Sequence, residues 1–274
     1  MAQHESIDGL IIRTRDYGDH DRYLTVLTAG GRYTFLAKGG RALKGAQVAV
    51  SQLYTYANFE YYKRGEFYIL KGGTPIESFY GLSDDMDRLN LAFYFCEVAL
   101  ELTDEGEEAG DFLRLMLNSL HALSRKLYSL EQIKGAFEIR AAALSGYAPD
   151  LSGCRHCKKT QGDGFYLDVM NGCLVCPECL SRSGADFKKG IYADEIREAE
   201  ILTYLPLPAV AALRYCIAAP VNRLFAFELA EATDLAAFAK ATQTYLLSHI
   251  GHGFESLRFY QEMRGELPHK GKES

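Results

Sequence analysis

The stretch YLTVLTAGGRYTFLA, residues 23–37, decides how the first part of this 274-residue chain folds. Two runs of β-branched and aromatic residues, Tyr23–Thr28 and Arg32–Ala37, predict strands, and Ala29-Gly30-Gly31 between them predicts a hairpin turn. Three further runs predict strands around this hairpin: Ile7–Arg13, Leu53–Tyr62 and Phe67–Lys71. Five short strands in about seventy residues suit a small closed barrel of the oligonucleotide/oligosaccharide-binding (OB) type. An SH3-like barrel also fits this pattern.

After Gly72-Gly73-Thr74-Pro75 the apolar period changes to that of helices. The first predicted helix has Ser83 as its N-cap and an apolar stripe of Met86, Leu89, Phe93, Cys96 and Leu100. A second follows, with Leu113, Met116, Leu117, Leu120, Leu123 and Leu127 on one side. Ser129 and Gln132 have capping-box spacing and open a third, which ends at Gly146. Helical patterns resume at Asp194–Tyr204, Ala209–Ile217 and Thr233–Ile250.

Two C-x-x-C pairs, Cys154/Cys157 and Cys176/Cys179, lie between these helical parts with eighteen residues separating them. Two such turns complete the tetrahedral thiolate shell that zinc prefers. Cys173 could replace Cys179, because two residues also separate it from Cys176. We favour Cys179, since Cys-Pro-Glu-Cys is the tighter knuckle. Four thiolates leave no open coordination position, so one structural zinc ion is predicted.

The fold class is therefore α+β and multidomain, an OB-fold barrel followed by a helical domain with an inserted four-cysteine zinc finger. The predicted divisions are a barrel at 1–80, the first helical part at 81–149, the zinc finger at 150–185, the second helical part at 186–264 and a flexible tail at 265–274.

The charge is distributed unevenly along the chain. The net charge is −6, yet Gly9–Pro75 carries ten Lys/Arg against five Asp/Glu, which leaves this segment at +5 and the remainder at −11. Such asymmetry is typical of a local electrostatic footprint. No apolar run is long enough to span a bilayer and no signal-like start is present, so a cytoplasmic protein is expected. In a reducing compartment, paired cysteines are metal ligands more often than disulfides.

The sequence carries no G-x-S-x-G, Walker A, G-x-G-x-x-G or H-E-x-x-H pattern, which favours a binding protein over an enzyme. Asp16, Asp19 and Asp21 cluster in one loop, but they lack the pattern of a calcium loop and are interpreted as a solvated turn.

The loop Lys38–Lys44 is cationic and contains Gly39 and Gly40, which would let the backbone approach a phosphate chain closely. Arg32 lies upstream of it. Aromatic side chains on the neighbouring strands are Tyr33, Phe35, Tyr54, Tyr56, Phe59, Tyr61 and Tyr62. Proteins that bind single strands combine such a cationic surface with stacking rings. The alternative for each ring is ordinary barrel core.

Several stretches, in order along nearly the whole chain, resemble the RecO family of recombination mediators. They are Arg13-x-Arg15-Asp16-Tyr17-Gly18, Asp21-Arg22 leading to Leu27-Thr28, Ala37-Lys38-Gly39-Gly40-Arg41, Phe137-Glu138-x-Arg140, Gly146-Tyr147-x-Pro149 and Leu246–Phe259. The resemblance implies an OB-fold amino-terminal domain and a non-enzymatic, cytoplasmic and nucleoid-associated protein of bacterial DNA repair. Cys173 departs from the family pattern, because a glycine is usual at that place.

The resemblance further implies that the chain binds single- and double-stranded DNA, anneals complementary strands and, with RecR, loads RecA onto DNA coated by single-strand-binding protein. The DNA-contact role carries over to Arg13, Arg15, Arg22, Lys38, Arg41 and Lys44, and Arg32 joins them from the charge pattern. The helical domain is expected to meet protein partners such as the acidic tail of the single-strand-binding protein, for which Arg140 is a candidate contact. A zinc-stabilised adaptor that binds no nucleic acid is the alternative function.

Overall fold

The computed structural model describes residues 4–40, 50–187 and 201–267. The chain forms two compact units: Met1–Leu127 together with Phe254–Ser274, and Tyr128–Gly253. Most of the predicted tail, residues 265–274, lies outside the described residues. No helix in the described ranges is both long and apolar enough to cross a bilayer.

The first unit begins with a closed five-stranded barrel. Its strands are β1 (His4–Tyr17), β2 (Asp21–Thr28), β3 (Gly31–Ala37), β4 (Thr55–Arg64) and β5 (Phe67–Ser78). The order is β1-β2-β3-β5-β4, and β1 pairs with both β2 and β4 to close the barrel. Only the β3–β5 pair among these is parallel. This Greek-key arrangement is of the OB type, which confirms the predicted barrel over the SH3-like alternative.

Apolar side chains from every strand fill the barrel, because inward and outward positions alternate along each strand. Phe35, Phe59 and Tyr61 lie in this core, with exposed fractions of 0%, 0% and 5%. The Phe35 ring packs against the other two, with centroid distances of 5.9 Å to Phe59 and 5.0 Å to Tyr61. These aromatic residues, which the sequence placed among the stacking candidates, are therefore core residues, and DNA cannot reach them.

Three helices complete the first unit: α1 (Met86–Leu102), α2 (Gly110–Ser124) and α7 (Glu255–Met263). The N-cap of α1 is Asp85, whose carboxylate accepts from the backbone N–H groups of Asp87 and Arg88. The predicted cap, Ser83, was wrong: its hydroxyl donates to the carbonyl of Tyr80 and closes a short 3₁₀ turn before the helix.

Helix α1 buries Cys96 of the predicted stripe, but most of its buried residues lie outside that stripe. Met86 and Phe93 are 53% and 41% exposed, whereas the helix buries Leu91, Tyr94, Phe95 and Val98. Helix α1 has more apolar residues than one stripe holds, and its packing against α7, α2 and β1 decides which of them are covered.

The second unit contains α3 (Leu130–Leu144), α5 (Leu207–Ala218) and α6 (Ala232–Ile250). Ser129 caps α3, its hydroxyl accepting from the backbone N–H of Gln132, which confirms this predicted start. Gly146, with φ +88°, follows the end of α3, and Gly251, with φ +86°, ends α6. Both glycines occupy the left-handed region that a helix end favours.

A four-stranded sheet carries the cysteines of the second unit, in the order β6-β8-β7-β9. Its strands are β6 (Asp150–Cys154), β7 (Gly164–Asp168), β8 (Cys173–Val175) and β9 (Leu202–Pro206), and α4 (Pro177–Phe187) follows β8. The helix predicted at Asp194–Tyr204 lies mostly outside the described residues, and its final residues are wrong, because they belong to β9. The alternation in Leu202–Pro206 of buried and less buried residues reflects pairing with β7.

A buried ion pair within α3 is connected to α6 by a hydrogen bond. Lys134 Nζ lies 2.9 Å from Glu138 Oε1, with side chains 6% and 0% exposed. Thr242 on α6 donates to the other oxygen of Glu138 at 2.9 Å. Gly135 lets the helices approach closely, since a Cβ there would lie 2.5 Å from a ring carbon of Phe238. The charges of this pair are thus satisfied inside an otherwise apolar contact.

Candidate nucleic-acid groove and metal centre

A β-bulge in β1 aims two arginines out of the barrel. Ile11 pairs with Val26, but the next pair is Arg13 with Thr25, so Ile12 is an extra residue in the strand. Ile11 and Ile12 are both buried, whereas Arg13 and Arg15 are exposed. Without the extra residue, the period of two would turn Arg13 towards the core. The bulge therefore places both arginines on the outer face.

These arginines line a groove of about 500 Å³ on the face formed by β1, β2, β3 and β5. The lining residues are Arg13, Arg15, Tyr23, Thr25, Thr34, Leu36, Glu66, Phe67, Tyr68 and Glu105. The strand register explains how they meet. Arg13 lies opposite Thr25, which pairs with Thr34, and Arg15 lies opposite Tyr23 in the neighbouring row.

Accessible aromatic rings border the groove. The guanidinium of Arg15 lies 5.5 Å from the centre of the Tyr23 ring, and Tyr17 contacts that ring at 5.1 Å. Phe67, at the start of β5, is 59% exposed. Tyr23 and Phe67 were not among the stacking residues predicted from the sequence. The signal available for Tyr23 was its place opposite Arg15 across the predicted β1–β2 turn.

The structure brings together only part of the predicted cationic set. Arg13 and Arg15 share the groove, but Arg22 pairs with Asp16 at 2.9 Å and Arg32 with Asp104 at 3.5 Å. Neither Arg22 nor Arg32 lines the groove.

Lys38 is exposed in the turn that follows β3. Arg41 and Lys44, the other cationic residues of that loop, lie outside the described residues. The turn is organised by Asp21, whose carboxylate accepts from the backbone N–H of Gly39 at 2.8 Å. Gly39 has φ +69°, in the left-handed region that glycine enters without strain.

Two of the aspartates predicted to cluster after the first strand have structural partners. Asp21 accepts from Gly39, and Asp16 pairs with Arg22. Across residues 4–40, 50–187 and 201–267, four cysteines are the only group of three or more metal-binding side chains that lie close together.

The sulfur atoms of Cys154, Cys157, Cys176 and Cys179 all lie within 4.8 Å of one another. The Cys157 and Cys176 sulfurs are 3.6 Å apart, close to the edge of about 3.8 Å in a tetrahedron with zinc–sulfur bonds of about 2.3 Å. Cys154 ends β6, and Cys176 and Cys179 flank the start of α4. This donor set fits a four-coordinate metal ion.

Backbone groups prepare these sulfurs for a negative charge. The N–H of Cys176 points at the Cys154 sulfur at 3.3 Å, and the N–H of Cys179 points at the Cys176 sulfur at 3.4 Å. Burial disfavours the Cys154 thiolate, but backbone N–H donors, including that of Cys157, outweigh it and lower its pKa to about 6. A ligand thiol must lose its proton to bind metal, so these contacts favour the ligand form of Cys154. Burial instead raises the pKa of Cys176, and the contact with the Cys157 sulfur raises the pKa of Cys179.

Cys173 lies outside this cluster. The guanidinium of Arg155 donates to its sulfur at 3.9 Å, and burial raises the pKa of its thiol. An ion pair of 2.7 Å between Lys159 and Glu178 connects the loop after the first knuckle to the first turn of α4. Because Cys179 lies in the cluster and Cys173 does not, the geometry matches the predicted ligand set that contains Cys179. Cys96 and Cys216 are buried, as expected of core thiols.

Arg140, a candidate contact for a protein tail, is used inside the second unit. Its guanidinium donates to the backbone carbonyl of Ala219, beyond the end of α5. It is therefore partly buried and holds the segment after α5 against α3.

An OB barrel whose groove is lined by arginines and aromatic rings has the form of an oligonucleotide-binding module, and the chain combines it with a helical unit that carries a four-cysteine cluster. The family described as Recombination protein O N terminal matches residues 1–79, and Recombination protein O C terminal matches residues 83–188. The chain belongs to the RecO family of DNA repair proteins.

Curated relatives carry the same description along most of their length. The chain is 30% identical over 256 residues to the DNA repair protein RecO of Acetivibrio thermocellus, covering 93% of this chain and 95% of that protein. It is 32% identical over 173 residues to the RecO protein of Alkaliphilus metalliredigens, covering 63% of this chain and 70% of that protein. The RecO protein of Clostridium acetobutylicum is 23% identical over 203 residues, covering 74% of this chain and 81% of its own length.

Proposed function

We propose that the barrel groove binds DNA, and that the protein anneals complementary strands and, with RecR, promotes RecA loading onto DNA coated by single-strand-binding protein. The observation that carries this proposal is the meeting of Arg13, Arg15, Tyr23 and Phe67 in one groove on the barrel. Membership of the RecO family supports the same role.

The groove has the chemistry that a single strand requires. Arg13 and Arg15 supply charge for phosphates, and Tyr23 and Phe67 supply faces on which bases stack. OB barrels bind oligonucleotides across the β2–β3 face between the loops after β1 and β4. Arg15 lies near the first of these loops, and Glu66 and Phe67 lie at the second, so the groove occupies this face.

Other cationic residues are proposed to extend the contact beyond the groove. Lys38, Arg41 and Lys44 would follow the phosphate chain past the end of β3, as the sequence pattern indicates. Arg22 and Arg32 would contribute positive charge near the bound DNA, but the ion pair that each forms would limit direct contact of its guanidinium with a phosphate.

The four-cysteine cluster is proposed to hold one zinc ion in a structural role. Thiolate sulfur is a preferred ligand of zinc, and a closed four-sulfur shell leaves no position for a substrate. Cys154, Cys157, Cys176 and Cys179 would connect β6 and the start of α4. The chain would then act by binding and positioning DNA rather than by catalysis, in the bacterial cytoplasm at the nucleoid.

The division of roles follows the predicted domains. Residues 1–80 would bind DNA, 150–185 would form the zinc finger, and the helical parts at 81–149 and 186–264 would meet protein partners, RecR and the tail of the single-strand-binding protein among them.

Strand annealing tests the proposal. Complementary oligonucleotides coated with single-strand-binding protein are mixed with wild-type protein, with Arg13→Ala/Arg15→Ala, or with the control Arg114→Ala/Arg125→Ala. The control removes two exposed arginines from α2 and its end, outside the groove. We expect wild type and control to anneal and the groove variant to lose most of the rate.

Heparin separates DNA binding from attraction to any polyanion. If the folded wild-type protein bound heparin and DNA equally weakly and annealed no strands, a zinc-stabilised protein adaptor would be the better description.

A further inference from the structure

The residues that line the groove carry no net charge among themselves. The two arginines of β1 are matched by two exposed carboxylates, those of Glu66 and Glu105. Arg22 and Arg32 add little to this balance, because each pairs with an aspartate. A groove of this composition offers little net attraction to a polyanion, since its carboxylates oppose its arginines. A DNA strand held there therefore needs further cations beside the lining.

The β4–β5 hairpin supplies two such cations. Lys63 and Arg64 are the last residues of β4, and both are exposed. The Lys63 ammonium lies 5.4 Å from the centre of the Tyr68 ring, which lines the groove. Arg64 lies opposite Phe67, which also lines the groove. Neither cation forms an ion pair with a carboxylate among the residues that the structure describes, so both charges are available to a ligand.

The turn after β4 fixes the position of these cations. Gly65 has φ +62°, which suits the first central position of a two-residue hairpin turn in which Glu66 is the second. So short a turn keeps Arg64 and Phe67 directly opposite each other. Backbone pairing therefore holds Arg64 at the border of the groove.

One row of the sheet connects the β1 arginines to this hairpin. Arg13 pairs with Thr25, and Thr25 pairs with Thr34. Strands β3 and β5 run parallel in a register that, continued by one residue, sets Thr34 beside Phe67. Phe67 in turn pairs with Arg64. Because register partners share a face of the sheet, this row has an arginine at each end.

The length of this row suits a short stretch of single strand. Neighbouring strands lie about 4.8 Å apart, so the four steps from β1 to β4 cover about 19 Å of the curved surface. Phosphates of a stacked strand are about 3.4 Å apart, so about six nucleotides reach from one end of the row to the other. This number lies within the range of about 4–16 nucleotides that one OB fold covers.

We propose that Lys63 and Arg64 form a second phosphate-binding border of the groove, so that a single strand crosses the barrel from the β1 arginines to the β4–β5 hairpin. This inference rests on the proposed DNA-binding role of the groove. Phosphates lie against the two borders, and bases between them stack on Tyr23 and Phe67. The four cations of the two borders outnumber the two carboxylates, which gives the complete site a net positive charge.

The test removes both charges of the hairpin in Lys63→Gln/Arg64→Gln. Lys63→Arg/Arg64→Lys keeps both charges at the same positions, and Arg114→Ala/Arg125→Ala removes two charges outside the groove. Affinity for oligothymidylates of about four and about twelve nucleotides is measured by fluorescence anisotropy with the full chain, at about 50–200 mM salt. Thermal unfolding by circular dichroism verifies that each variant is folded.

On the longer strand, we expect the glutamine variant to have a slope of log K against log salt that is shallower by about 1.4, because two phosphate contacts are lost. The charge-preserving variant and the distant control should keep the wild-type slope. On the shorter strand, the glutamine variant should lose less than about twofold in affinity, since a strand of that length reaches only one border and can still bind the other.

Three results would overturn the inference: a wild-type slope for the glutamine variant, an equal loss for the charge-preserving variant, or equal losses on the short and the long strand. If the glutamine variant did not fold, Arg64→Gln alone would decide, with an expected change of about 0.7 in the slope.

The proposed function fails in a distinguishable way. If wild-type protein bound no DNA, or if Arg13→Ala/Arg15→Ala kept the wild-type slope on the longer strand, the groove would not be the DNA site, and the inference would be overturned with it. If that variant had a shallower slope and Lys63→Gln/Arg64→Gln did not, the groove would remain the DNA site and the second border would be wrong.

Discussion

Replacing Arg13 and Arg15 by alanine should weaken DNA binding in a manner that depends on salt. Both side chains are exposed, and both line the groove on the outer face of β1. Neither guanidinium forms an ion pair with a carboxylate in the part of the chain that the structure describes. The substitutions therefore remove positive charge from the groove without leaving a buried partner unsatisfied.

The size of the effect follows from counterion release. Each phosphate neutralised on a single strand contributes about −0.7 to the slope of log K against log salt, so the loss of two contacts should make the slope shallower by about 1.4. Between about 50 and about 200 mM salt, log salt changes by about 0.6. The ratio of wild-type to variant affinity should therefore be about sevenfold larger at the lower salt concentration.

Fluorescence anisotropy with one labelled oligonucleotide across this salt range measures both slopes. Arg114→Ala/Arg125→Ala removes the same charge from α2 and its end, so its slope should stay close to that of wild type. Parallel slopes for wild type and the Arg13→Ala/Arg15→Ala variant would refute the reasoning, because they would show that neither arginine contacts a phosphate.

Three further tests address the four-cysteine cluster and the packing. Cys179→Ser should lose bound zinc while Cys173→Ser keeps it, as measured by elemental analysis; the reverse result would make Cys173 the fourth ligand. Glu138→Ala should lower the free energy of unfolding by about 3–5 kcal/mol in urea, because it leaves Lys134 buried without its carboxylate, and Lys134→Met/Glu138→Leu should recover most of that loss. The hydroxyl of Tyr54 is buried and has no hydrogen-bond partner among the described residues. Tyr54→Phe should therefore leave the free energy of unfolding unchanged or raise it by up to about 1 kcal/mol. A decrease in that free energy would reveal a hydrogen bond to the hydroxyl.

Local patterns in the sequence predicted the barrel well. A hairpin turn and its two strands are specified by residues close together in the sequence, here Ala29-Gly30-Gly31 and the β-branched runs beside it. The structure contains β2 and β3 at those places. Ser129 likewise caps α3, since a cap needs only backbone groups three residues away. Where several residues could cap, as before α1, the sequence favoured Ser83, but the chain enters the helix at Asp85.

The cysteine cluster was also predictable, because a C-x-x-C turn brings two sulfurs together through its own backbone. Choosing between Cys173 and Cys179 needed the fold. Cys173 lies in β8, where its side chain is directed by pairing with β7, and Cys179 lies in the first turn of α4, which points it at the other three sulfurs.

Spacing along the chain was thus enough to predict the barrel strands, the helical part and the four-cysteine cluster, because each depends on contacts within a few residues or on a strict period. The strand order then decided for the OB type over the SH3-like one. The composition of the groove depended on the tertiary structure. One extra residue, Ile12, changes which face of the strand each later side chain of β1 lies on. The closure of the barrel then joins Arg13 and Arg15 to Phe67, while the α1–α2 loop adds Glu105. The alternating pattern of a strand does not show where a bulge interrupts it. The α1–α2 loop is about seventy residues from the β2–β3 turn that it contacts, and no local sequence signal predicts that contact.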